Sequence, residues 1–126
     1  MSILVPVYNE EHYVEQVLEA VLGAPLPEGM DREVIVVDDA STDRTCQRLR
    51  RYAAGHPQVR LIFHSVNQGK GAAIRDAVAQ ASGDVIVIQD ADLEYDPNEY
   101  GRLLEPILSG HADVVYGSRF LASPYR

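Results

Sequence analysis

Five short apolar runs, Ile3 to Val7, Val34 to Val37, Val59 to Phe63, Val85 to Ile88 and Val114 to Tyr116, constrain the fold of this chain more than any other feature. They are continuous rather than alternating with polar residues, which suits strands buried on both faces of a mostly parallel sheet. Parallel neighbours need long crossovers, and helical patterns fill the gaps. Val14, Val17, Leu18 and Val21 recur at i, i+3, i+4, i+7, as do Ile74, Ala77, Val78 and Ala81, and Tyr100, Leu103, Leu104 and Ile107. A fourth helix, weaker in period, is required between Asp43 and Ala54. The expected class is α/β, in the order βαβαβαβαβ. Asp96-Pro97-Asn98-Glu99 reads as the start of the last helix, with Asp96 as cap.

At 126 residues, with 46% hydrophobic and 24% charged positions, the chain has the composition of one soluble globular domain. A net charge of -8 argues against nucleic acid or an anionic membrane surface as the main partner. An anionic small ligand would need a cation as a bridge. The one cysteine, Cys46, excludes an internal disulfide and is expected in the core, and no Cys/His cluster has zinc-like spacing. A reducing compartment, by default the cytoplasm, fits best. No signal peptide or membrane-spanning run is evident.

In a doubly wound sheet, ligands bind at the carboxyl ends of the strands, where strand order reverses. Polar clusters collect there. Pro6-Val7-Tyr8-Asn9-Glu10 ends the first strand, Asp38 to Asp43 follows the second, Asn67 to Gly71 the third, and Gln89-Asp90-Ala91-Asp92-Leu93-Glu94 the fourth. Asp90 and Asp92, on alternate residues just past a buried strand, can share a divalent cation, and that cation can hold a diphosphate. Gly69-Lys70-Gly71 lacks the full spacing of a P-loop. Ser41 and Thr42 suit turn and cap chemistry, and Glu10 and Glu11 suit a helix N-terminus as well as a ligand. The four histidines, His12, His56, His64 and His111, are scattered without a catalytic partner and are assigned no role.

Together with Gly117-Ser118-Arg119-Phe120, these clusters resemble the family 2 glycosyltransferases of the GT-A fold, in particular polyprenyl-phosphate hexosyltransferases related to dolichyl-phosphate mannose synthase. The resemblance implies a Rossmann-like parallel sheet with helices on both faces. Residues 1–126 would be a nucleotide-sugar-binding domain, the N-terminal part of a larger catalytic domain truncated on its C-terminal side. It implies that Asp90 and Asp92 bind Mg²⁺ or Mn²⁺, with Glu94, which stands where related enzymes often place Gln, as a third ligand. Asp39 would accept a hydrogen bond from the ring N–H of uracil or guanine. Pro6, Tyr8 and Glu10 would wall the nucleoside pocket, Lys70 would contact the nucleotide, and Asp92 and Arg119 would serve catalysis, Arg119 near a phosphate.

The implied reaction is metal-dependent, inverting transfer of a hexose from UDP-glucose or GDP-mannose to a polyprenyl-phosphate-like acceptor. A saccharide acceptor and a non-catalytic nucleotide-sugar-binding module remain alternatives. The implied place is the cytoplasm, at the inner membrane face if the acceptor is a lipid, with membrane contact only through that acceptor or a region beyond this chain. Sugar, base and oligomeric state are left open. A phosphoacceptor signalling domain shares the size and an acidic pair, but there the pair follows the first strand and a lysine the fifth. Here Asp38-Asp39 follows the second, and Arg119 stands after the fifth.

Overall fold

The computed structural model describes residues 1–83, 85–91, 97 and 114–116, the last three by their backbone. Strands β1 (Ser2–Val7), β2 (Glu33–Asp38), β3 (Val59–Phe63), β4 (Ile86–Ile88) and β5 (Val114–Tyr116) form one sheet in the order β3-β2-β1-β4-β5. Every pairing is parallel. Helices α1 (Val14–Gly23), α2 (Thr45–Ala54) and α3 (Lys70–Gln80) make the first three crossovers. The expected helix around Tyr100 to Ile107 and its cap at Asp96 lie outside the described residues.

The absence of polar alternation has a direct cause in this arrangement. Ile3, Val5, Val7, Val34, Val36 and Val87 point to the face covered by α1 and α2, where Val14, Val17, Leu18, Val21 and Leu49 meet them. Leu4, Ile35, Val37 and Ile88 point the other way, onto Ala73 and Ala77 of α3. Successive strand residues face opposite sides, so a strand covered on both sides is apolar along its covered length, whereas the edge strand β3 leaves Arg60 exposed to pair with Glu33.

Helix α1 buries the four residues its spacing picks out. Helix α3 does so only in part: its buried residues are Ala72, Ala73 and Ala77, while Val78 is 44% exposed. Alanines bring the helix axis close to β1 and β2, which turns Val78 outward and leaves Ile74 and Ala81 on the flank of the cluster.

The chain passes from the β1–β2 half to the β4 half between β1 and β4, and that break places the cleft at their carboxyl ends. The opposite end of the sheet is closed by Glu33. Its Oε2 accepts from the Ser2 hydroxyl at 2.5 Å, from the Ser82 amide at 2.6 Å and from the Ser82 hydroxyl at 2.8 Å, with Gly83 N–H at 3.2 Å. Gly83 fits there because it lacks a side chain: a Cβ would lie 2.7 Å from Ser2 Oγ and 2.8 Å from Ser2 N.

Burial pushes the Glu33 carboxyl up, yet the hydrogen bonds from Ser2, Ser82 and Gly83 outweigh it and bring it down to about 2. A carboxylate depressed in the fold adds stability above its unfolded value of 4.5, lost as pH falls toward about 2. At about 1.4 kcal/mol per pH unit the contribution is on the order of 3 kcal/mol. Glu33→Gln should therefore unfold at lower denaturant than the parent at pH 7, by about 2 kcal/mol. The gap should close near pH 2; a gap independent of pH would refute the linkage.

Candidate functional site

The loops that end β1 and β2 are stitched to each other before any ligand is considered. Asn9 N–H donates to Ser41 Oγ at 2.8 Å, Thr42 N–H donates to Asn9 Oδ1 at 2.8 Å, and Glu10 N–H donates to Thr45 Oγ1 at 2.9 Å. Asn9 and Ala40 stand at φ 51° and 62°, left-handed conformations that cost a non-glycine residue and persist where the surroundings hold them. Neither Ser41 nor Thr42 caps α2: Arg44 precedes the helix, and Asp43, one residue earlier, accepts from Thr45 N at 2.9 Å. Ser41 serves the turn instead, its hydroxyl donating to Asp38.

Asp39 follows β2 and is 4% exposed. Its Oδ1 accepts from Gln68 N–H at 2.8 Å and lies 2.8 Å from His64 Nδ1, and its Oδ2 accepts from Gly69 N–H at 2.8 Å. Gly69 can aim its amide there because it sits at φ 94°, as the residue before α3. Burial opposes charge on Asp39, but the bonds from His64, Gln68 and Gly69 outweigh it and hold the carboxyl below its ordinary range.

Asp90 follows β4, next to the wholly buried Gln89. One of its oxygens meets the ammonium of Lys70, the first residue of α3, at 2.5 Å. Lys70 thus turns toward Asp90 while its side chain stays 56% exposed.

Pro6, Tyr8 and Glu10 from the end of β1, Asp39, Lys70 and Asp90 line one open cleft, together with Val7 and Ala73. Tyr8 is 46% exposed, so its ring offers a free apolar surface at the rim. All six nucleotide-binding candidates therefore come together at the switch point. Asp92, Glu94 and Arg119 lie outside the described residues. Asp90 fits a Mg²⁺ or Mn²⁺ ion by its chemistry, since a carboxylate at the cleft that already meets one cation offers the hard oxygen donors those ions take. Among the described residues no group of three or more His, Cys, Asp or Glu side chains is gathered as for a metal.

Two expectations are corrected. His64, assigned no role, is bonded through both ring nitrogens, Nδ1 to Asp39 and Nε2 at 2.6 Å to Asp76. Its position one residue beyond β3, at the carboxyl end of the sheet, is the signal that could have marked it; its partner on α3 is not visible as a motif. Cys46 does not pack in the core: it is partly exposed, and its thiol donates to Asp38 Oδ2 at 2.8 Å. Burial, then the hydrogen bond to Asp38, push that thiol up to about 11, away from the thiolate form that a nucleophile needs. Among the described residues no helix is long and apolar enough to cross a membrane.

Comparison with known proteins gives the same picture. The profile described as "Glycosyl transferase family 2" matches residues 2–125. A dolichol-phosphate mannosyltransferase of Pyrococcus furiosus is 34% identical over 121 residues, covering 96% of this chain and 33% of the relative. An undecaprenyl-phosphate 4-deoxy-4-formamido-L-arabinose transferase of Pectobacterium carotovorum is 39% identical over 117 residues, covering 91% and 35%. The solved structure of a Pyrobaculum calidifontis mannosyltransferase in complex with GDP-Man and Mn²⁺ superposes with a TM-score of 0.69 at 35% identity, over 78% of this chain and 29% of that one. The chain thus spans about a third of the length of the curated relatives it matches.

Proposed function

The chain belongs to glycosyl transferase family 2, with the GT-A architecture expected of it, and from that premise we propose that it is the nucleotide-sugar-binding part of a metal-dependent hexosyltransferase. The acceptor in this reading is a polyprenyl phosphate, as the names of the two curated relatives suggest. The observation that carries the proposal is the convergence of Pro6, Tyr8, Glu10, Asp39, Lys70 and Asp90 on one cleft at the β1/β4 switch point.

In this reading each side chain takes the task that the family resemblance implies for it. Asp39, buried and ionised, accepts the ring N–H of a uracil or guanine. Tyr8 and Pro6 cover the flat face of the nucleoside, and Glu10 meets the ribose hydroxyls. Asp90, with Asp92 and Glu94, would hold a divalent cation, which when bound neutralises the leaving nucleoside diphosphate. Lys70, already 2.5 Å from Asp90, is placed to turn from that carboxylate toward a phosphate. Arg119 would meet a phosphate oxygen through its guanidinium.

The chemistry needs little more of the protein. An acceptor phosphate oxygen is already anionic and forms the new bond at the anomeric carbon while the bond to the donor diphosphate breaks, its electron pair leaving with the diphosphate. Transfer from the opposite face inverts the anomeric centre. No side chain has to remove a proton.

Calorimetric titration with UDP, GDP and their glucose and mannose conjugates, each with and without Mn²⁺, tests the proposal. One nucleotide should bind roughly tenfold or more tightly with Mn²⁺ than without it. Binding of none, or binding indifferent to the metal, would overturn the reading.

A further inference from the structure

His64 stands between two carboxylates that come from opposite sides. It is the residue after β3, and its amide donates to Asp38 O at 2.9 Å, extending the β2–β3 ladder by one step. Its ring lies with Nδ1 2.8 Å from Asp39 Oδ1 and Nε2 2.6 Å from Asp76 Oδ2, and the side chain is 5% exposed. Asp39 is buried beside it, whereas Asp76, on α3, is 51% exposed.

Ionised carboxylates only accept hydrogen bonds, and neutral imidazole has one donor nitrogen. Whichever tautomer a neutral ring took, one nitrogen would turn a lone pair toward a carboxylate at under 3 Å. Both contacts are satisfied together only by the imidazolium, which donates twice. The same two carboxylates, Asp39 first and then Asp76, raise the proton affinity of the ring above its ordinary value against the opposing effect of burial.

The oxygen-by-oxygen account of Asp39 shows what this does. Oδ1 has both acceptor directions filled, by His64 and Gln68, while Oδ2 has one filled, by Gly69. Among these contacts one direction remains, on Oδ2, and Asp39 is one of the residues that line the cleft. We propose that His64 is a positioning residue for nucleobase recognition: its ring fixes the Asp39 carboxylate in an orientation and ionisation state that present a single acceptor to a base bearing a ring N–H.

This rests on reading Asp39 as the base-binding group. The consequence is selectivity. A uracil or guanine ring N–H completes the Asp39 shell, whereas the ring nitrogen of cytosine or adenine would set a lone pair against it. Asp76 tethers the imidazolium to α3, so the helix that begins with Lys70 and the carboxylate that reads the base are held by one ring.

The test titrates the protein, its His64→Gln and Asp76→Asn variants and an Asp39→Asn control with UDP, GDP and CDP in Mn²⁺, and records imidazole ¹⁵N spectra of the parent near pH 7. Glutamine is neutral and can donate to one carboxylate at most. His64→Gln should bind the preferred nucleotide about tenfold more weakly and lose its advantage over CDP by about the same factor. Asp76→Asn should shift both in the same direction, by about threefold. The parent spectrum should show both ring nitrogens protonated.

A neutral tautomer in the parent overturns the proposal without any variant having to fold. So does a His64→Gln variant that weakens all nucleotides equally, or none, while Asp39→Asn has lost its base preference, since that outcome spares Asp39 and removes only His64. If Asp39→Asn itself keeps the base preference of the parent, the underlying reading of Asp39 falls, and this proposal with it.

Discussion

Asp90→Ala is expected to abolish Mn²⁺-dependent nucleotide-sugar binding while leaving the fold intact. The separation of the two effects follows from where Asp90 sits. It lies past the end of β4, and its charged partner among the described residues is Lys70, itself 56% exposed. Asp90 itself is 16% exposed, but a pair open to solvent at its lysine end is worth about 1 kcal/mol, so the thermal midpoint should fall by a few degrees at most. Binding is another matter. Removing a carboxylate takes away one anionic ligand of the cation and leaves the donor diphosphate to meet the remaining acidic residues of a chain of net charge -8. The loss should be about a hundredfold or more, roughly 3 kcal/mol at 1.4 kcal/mol per decade. Asp90→Asn, which keeps the shape and removes the charge, should bind almost as poorly. Retention of metal-dependent binding within about threefold would place the cation elsewhere.

What could be read from the residues, and what could not, divides along one line. Strand positions and the burial of Val14, Val17, Leu18 and Val21 were legible because burial on both faces leaves a mark in the local pattern. So were the polar clusters, since each lies within a few residues of a strand end and the topology gathers strand ends into one cleft. The face of α3 was misread because three alanines outweigh the larger Val78 where a helix packs close to a sheet, and period alone does not tell small from large. His64 was missed because its two partners come from 25 residues before and 12 residues after it. A histidine becomes informative through what surrounds it in space, and no spacing rule spans β2, β3 and α3 at once. Ser41 and Thr42 serve the loop rather than a helix cap for a related reason: the turn after Asp38 is bonded to Asn9, which belongs to a different strand end.

Asp39→Asn is expected to cost both base recognition and stability, and the geometry says which oxygen is lost. The amide must put its NH₂ in the place of one carboxylate oxygen. In the place of Oδ1 it would face two donors, His64 Nδ1 and Gln68 N–H; in the place of Oδ2 it would face only Gly69 N–H. The second choice leaves fewer donors opposed, so the free variant should settle there. The group that Asp39 keeps as an acceptor then becomes a donor, turned toward the ring N–H of an incoming uracil or guanine. Affinity for the preferred nucleotide should drop about a hundredfold, and the preference over CDP should shrink or invert, because a cytosine ring nitrogen accepts the hydrogen bond that asparagine now offers. Stability suffers separately. The Gly69 amide is orphaned, and the buried His64 imidazolium, still bonded to the amide oxygen, keeps only the exposed Asp76 as an anionic partner, a cost of about 2–4 kcal/mol. The pH dependence should change in a defined sense. In the parent, His64 is raised and stabilises below its ordinary value of 6.5, an increment lost as pH climbs through the raised value. In the variant that increment should largely vanish, so the stability difference between parent and variant should be widest near pH 6 and narrow on the alkaline side. Denaturant unfolding of both proteins from pH 5 to 9 measures it, and parallel curves would show that Asp39 and His64 are not electrostatically joined.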